Sequence, residues 1–160
     1  MSLESVIKEN VTAGKKIAIM GVGSVLRSDD GAGMYLIEKL SELEKSENLL
    51  LIAGSTAPEN FTGVIKEFAP DKLFIVDAAH MELPVGEIRV LDTDDISGLS
   101  FSTHMLPMPV MLRFLKLESD CEVICIGIQP ESTGIGVELC DKVKTATESL
   151  AKLFTEALNS

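Results

Sequence analysis

KIAIMGVGSVLRSDDGAGMYLIEKL, residues 16–40, decides the fold. An almost wholly apolar run, Lys16 to Met20, gives way to Gly21 and Gly23. A helical stripe follows at Ala32, Leu36, Leu40 and Leu43, spaced four, four and three apart. A run this short and this apolar reads as a strand buried on both faces, as parallel strands covered by helices are. Strand, glycine turn and helix in that order make the first half of a parallel β-α-β unit.

The same alternation continues outward along the chain. Leu49 to Ala53, Leu73 to Val76 and Glu122 to Ile128 read as further strands buried on both faces, and Glu87 to Leu91 alternates like a half-exposed one. The connection into Glu87–Leu91 holds Pro84 and Gly86 and is too short for a helical crossover, so this strand is expected to run antiparallel. Helical stripes are expected over Glu59 to Phe68 and along Leu139, Val143, Ala146, Leu150, Leu153 and Ala157. Another is expected over Met105 to Leu117, where Pro107 and Pro109 fit only the first turn. The order β-α-β-α-β-β-α-β-α predicts an α/β three-layer sandwich. Its mostly parallel five-stranded sheet has one antiparallel strand, with helices on both faces. With 160 residues, 46% of them apolar, a single domain spanning 1–160 is expected.

Composition excludes several classes of partner. The net charge is −11 and the 14 lysines and arginines are scattered, which argues against nucleic acid and against a membrane surface. No run approaches the roughly 20 apolar residues of a membrane-spanning helix, and the first twenty residues mix charges with isolated apolar positions, unlike a signal peptide. A soluble, cytoplasmic protein that meets other proteins or small molecules is expected. Cys121, Cys125 and Cys140 form neither a CxxC nor an even set, so they read as buried thiols in a reducing compartment. The even spacing of Cys121 and Cys125 puts them on one face of a strand.

In parallel sheets ligands bind beyond the carboxyl ends of the strands. The segments GVGSVLRSDDG, GSTAPEN, DAAH and STHMLP lead to that rim. A dinucleotide site is poorly supported: Leu26 stands where the third glycine belongs, the second strand ends in Ala53-Gly54-Ser55 instead of an acid, and no GK[ST] occurs. Asp29 and Asp30 stand just before the first helical stripe. One carboxylate can cap that helix, leaving the other free to point across the rim. Asp77 ends its apolar run at the sheet edge, where a charge is costly unless solvated, paired or metal-bound. His104 precedes the proline-marked helix and is expected on the same rim, whereas His80 reads either as a further ligand or as a surface residue. Two carboxylates and an imidazole suit nickel, iron or zinc better than calcium. Three donors also leave coordination positions open to a second molecule.

Through GVGSVLRSDDGAG, GSTAPEN, LFIVDA, GEIRVLD, the Thr103-His104 pair and GIQPE, the sequence resembles the NiFe-hydrogenase maturation endopeptidases. The combination is most similar to the branch that serves formate-hydrogenlyase and energy-converting hydrogenases. The resemblance covers almost all of the chain after the first fifteen residues. It implies an endopeptidase that removes the C-terminal extension of a hydrogenase large-subunit precursor after nickel insertion. Asp30, Asp77 and His104 fall on the family's metal-contacting positions, and the nickel would be supplied by the substrate. His80 has no counterpart in the pattern, and Ser24 stands where the family commonly has asparagine. For bond cleavage two routes are open. Either the metal polarises the scissile carbonyl or activates a water, or a loop carboxylate, Asp29 or Asp30, acts as general base. No GxSxG nucleophile motif competes. The alternative from a binding class is a nickel-sensing maturation chaperone that uses the same three ligands and does not cut.

Overall fold

A computed structural model describes residues 2–92, 100–101 and 108–160. Its strands are β1 (Ile17–Val22), β2 (Leu49–Ser55), β3 (Lys72–His80), β4 (Ile88–Leu91), β5 (Ser100–Phe101) and β6 (Glu122–Ile128). Its helices are α1 (Leu3–Asn10), α2 (Ala32–Leu40), α3 (Thr62–Phe68), α4 (Met108–Glu118) and α5 (Asp141–Leu158). Tight 3-10 turns at Ser28–Gly31 and Pro58–Phe61 lead into α2 and α3.

The main sheet runs β2-β1-β3-β6-β4. β1 pairs parallel with β2 and β3, β3 pairs parallel with β6, and β4 lies antiparallel on β6. The two-residue β5 adds antiparallel to the far end of β3, Ala79 opposite Phe101 and His80 opposite Ser100. The expected sandwich is therefore found, with β4 as the antiparallel member of its five-stranded main sheet and the short β5 as an addition that the sequence pattern does not contain. Alternation along the central strands divides the apolar residues between two layers. Ile17, Ile19, Phe74, Val76, Ile124 and Ile126 meet α1, α2 and α5 on one side, where the Phe74 and Phe154 rings pack edge to face at 5.0 Å. On the other side Ala18, Met20, Leu73, Ile75 and Cys125 join Ile65 of α3 and Met111 and Leu115 of α4. Cys121 joins that second layer, as its spacing from Cys125 requires.

Several expectations are corrected. β2 is not buried on both faces: it is the edge strand, and of its seven residues only Ile52 and Gly54 are buried. The Glu59–Phe68 stripe splits into the 3-10 turn and a shorter α3, and α2 stops at Leu40 instead of reaching Leu43. Helix α1 has no counterpart in the pattern reading. It has eight residues and buries only Ile7 completely, too little for a periodic signal, yet Ser2 caps it by accepting the Ser5 N–H at 3.1 Å. Helix α4 is described from Met108 to Glu118 with Pro109 in its first turn as expected, and Met105 to Pro107 lie outside the described residues. The most consequential correction concerns Asp77. β3 continues three residues past it, and β3 is the central strand, so Asp77 lies inside the sheet opposite Gly127 of β6 and not at an edge.

Candidate active site

At the carboxyl end of β1 the chain must leave the sheet and bring SDDG back against β3. Gly23 makes that possible. Its φ is +126°, a Cβ there would collide with the Asp30 carbonyl, and the same Cβ would sit 3.0 Å from Asp77 Oδ1. Gly33 lets α2 close in behind, since a Cβ there would strike the backbone carbonyls of Val22 and Val76. The backbone of the loop thus lies directly over the Asp77 side chain.

Asp30 and Asp77 are both fully buried. Each is held by one oxygen. Asp30 Oδ2 accepts the Ser24 N–H at 2.9 Å, and Asp77 Oδ1 accepts the N–H of Ala78 at 2.8 Å. The other oxygens, Asp30 Oδ1 and Asp77 Oδ2, have no hydrogen-bond partner among the described residues. Burial pushes the Asp77 carboxyl well above the usual carboxylate range, and the nearby Asp30 charge pushes it further. Two buried carboxylates with orphaned oxygens are unfavourable as they stand, because a buried acceptor ordinarily has a partner. A proton or a divalent cation relieves both, and hard carboxylate oxygens are suitable donors for such a cation.

Asp29 has a different environment from its neighbour. It is 1% exposed. Its Oδ2 accepts the N–H groups of Glu131 at 2.8 Å and Ser132 at 3.3 Å, and its Oδ1 accepts that of Cys140 at 2.8 Å. Neither acid caps α2, whose N-cap is Gly31 without a side-chain bond, contrary to the sequence expectation. Asp29 instead ties its loop to the segment between β6 and α5. Backbone bonds reinforce the tie: Ser28 N–H to the Gly136 carbonyl at 2.8 Å, Gly136 N–H to that of Leu26 at 2.9 Å, and Asp29 N–H to that of Ser132 at 3.1 Å. Ser28, with φ +52°, also gives its Oγ–H to the Gly134 carbonyl at 2.9 Å.

His80 is the last residue of β3, with an exposed side chain. His104 lies outside the described residues. Among the described residues no group of three His, Cys, Asp or Glu side chains converges as a metal site. Ser24 does serve the site, but through its backbone N–H; its Oγ accepts the Leu26 N–H at 3.2 Å. Gln129, which follows β6 and is buried, is a further polar residue that the residue pattern does not single out. Its Oε1 accepts the N–H groups of Met81 at 2.7 Å and Leu83 at 3.3 Å, fixing the exit of β3. The signal available was its place in GIQPE, a polar residue directly after an apolar strand.

Comparison with known proteins decides the family. The HycI profile, described as hydrogenase maturation protease, matches residues 34–157. The chain belongs to the hydrogenase maturation protease family. A putative protease of this kind from Methanocaldococcus jannaschii is 35% identical, over 90% of this chain and 89% of the relative. The hydrogenase 3 maturation protease of Escherichia coli K12 is 40% identical over 82% and 84%. The crystal structure of the NiFe-hydrogenase maturation protease HycI from Thermococcus kodakarensis superposes with a TM-score of 0.87 at 34% identity, covering 97% of this chain and 99% of that one. The protease reading and the fold therefore stand together, and membership of a peptidase family favours turnover over a chaperone that only docks. Among the described residues no helix is long and apolar enough to cross a membrane.

Proposed function

We propose that this protease removes the C-terminal extension of a hydrogenase large-subunit precursor, and that Asp30 and Asp77 recognise nickel already held by that precursor. The observation that carries the reading is the pair of orphaned, buried oxygens, Asp30 Oδ1 and Asp77 Oδ2. Each carboxylate is oriented through its other oxygen by a backbone N–H, so the free oxygens are presented without side-chain freedom to lose. Nickel belongs to the substrate. Two fixed carboxylates, with His104 assigned as third donor from its sequence position, leave the remaining coordination to the precursor. A precursor without the metal meets two buried acids with nothing to satisfy them.

Bond cleavage in this account is carboxylate-dependent, an aspartyl-type mechanism in which Asp30 or Asp77 accepts a proton from the water that adds to the scissile carbonyl carbon and returns it to the amine nitrogen as the C–N bond breaks. Asp29 is assigned to positioning, because both its oxygens are already engaged by backbone N–H groups. The three free thiols fit work in the reducing cytoplasm. The test is intact-mass spectrometry of nickel-loaded precursor incubated with catalytic amounts of protease. Many precursors shortened per protease molecule support the reading; an unshortened precursor overturns it.

A further inference from the structure

The other side of the Asp30 loop is apolar and open. Val25 and Leu26 are 54% and 63% exposed, and Ile135 and Val137 on the facing segment are 98% and 77% exposed. Loose loops would let such side chains fold inward. Here the parallel bridge of Arg27 with Gly136 and the hydrogen bonds around it hold the two segments in place, so the side chains stay in water. Two of them, Val25 and Val137, line a groove of about 450 Å³ against α2 and the end of edge strand β2, together with Met34, Tyr35 and Ile37, while Leu26 and Ile135 stand outside its lining. Glu38 is the one charged residue of the lining, and no lysine or arginine joins it.

We propose that this groove holds a segment of the substrate polypeptide that carries apolar side chains and a basic residue, the latter paired with Glu38. The proposal rests on the reading that the substrate is a protein precursor, and it assigns the surface that decides which precursor is accepted. Two observations select the occupant. The groove shares a wall with the site, since Val25, Ser28 and Gly31 line it and Asp30, whose charge acts on Asp77, belongs to the same loop, so a chain bound in the groove lies against the loop that carries the site. Its single charge is negative in a chain of net charge −11, which favours a cationic segment and disfavours a second copy of this chain. Burying apolar side chains there supplies affinity independent of the metal.

The test compares wild type with Val137→Glu, Glu38→Lys and Leu117→Glu, the last an equally exposed site on α4, across the sheet from the groove. Processing kinetics are measured on nickel-loaded precursor. Affinity for the same precursor is measured with each change placed in an Asp30→Asn background, and sedimentation gives the oligomeric state. Val137→Glu and Glu38→Lys are expected to raise KM and weaken precursor binding about tenfold with kcat little changed, and Leu117→Glu to alter neither. Unchanged KM and affinity in both groove variants overturn the proposal, as does a loss confined to Leu117→Glu. A wild-type dimer that Val137→Glu splits without altering precursor affinity also overturns it, by giving the groove to self-association. If wild type does not cleave at all, the protease reading of this substrate falls, and the affinities still decide the groove.

Discussion

Asp29 and Asp30 are neighbours in sequence and opposites in structure. Asp29 accepts three backbone N–H groups from the segment between β6 and α5 with its two oxygens, whereas Asp30 accepts the Ser24 N–H with one oxygen and has no partner for the other among the described residues. One carboxylate holds the loop. The other is what the loop holds out.

That division predicts opposite phenotypes. Asp29→Ala strands three N–H donors and is expected to cost about 3 kcal/mol of stability. Asp30→Asn keeps an oxygen for Ser24 and is expected to melt within about 2 °C of wild type while losing about 10²–10⁴-fold in processing rate. Thermal melts and single-turnover cleavage of both variants check this. A destabilised Asp30→Asn or an intact Asp29→Ala contradicts the assignment.

Asp77 makes the metal-free protein less stable as pH rises above the ordinary carboxylate range. Its native carboxyl titrates above its unfolded value, so the folded state binds the proton more tightly. Below the ordinary carboxylate pKa of about 3.9 both states are protonated and nothing is lost. As pH rises from there toward the raised native value, the unfolded chain ionises first and stability falls. Asp77→Asn removes this loss and is expected to melt about 3–6 °C above wild type at pH 8, with a smaller gain at pH 4. Calorimetry across that range reads the difference; a variant less stable at pH 8 contradicts it.

Gly23 admits no side chain. Gly23→Ala meets both a left-handed φ and the Asp30 carbonyl, so the loop must move away from Asp77. The expected result is a loss of about 3 kcal/mol together with loss of processing, read by denaturant titration and cleavage assay.

The thiols are expected to be slow to react. Burial pushes Cys125 up to about 12, and raises Cys121 and the half-buried Cys140 as well. Native protein treated with iodoacetamide at pH 8 should be labelled first at Cys140 and at Cys125 only after unfolding. Peptide mapping that finds Cys125 labelled early contradicts the described core.

Much of this was legible in the chain itself because the central strands alternate apolar residues without interruption. β6 begins and ends where its apolar run does, Glu122 to Ile128. Where the pattern was weak, tertiary contacts decided. β2 looked buried from its leucines, but its place in the sheet order is not written in them. Asp77 looked like a terminus because a charge conventionally ends a buried run. The strand nevertheless continues through it, because Asp77 stays in register with Gly127 of β6 and its carboxylate takes the N–H of Ala78. The roles of Asp29 and Asp30 could not be separated by residue type, since the difference lies in amides more than one hundred positions away.

The central claim is that Asp30 and Asp77 read the nickel in the precursor. The most direct measurement is the affinity of nickel-loaded and nickel-free precursor for wild type and for the Asp30→Asn, Asp77→Asn double variant. The account predicts that wild type binds the loaded precursor at least about tenfold more tightly and that the double variant binds both forms alike. A nickel preference retained by the double variant, or absent from wild type, would contradict it.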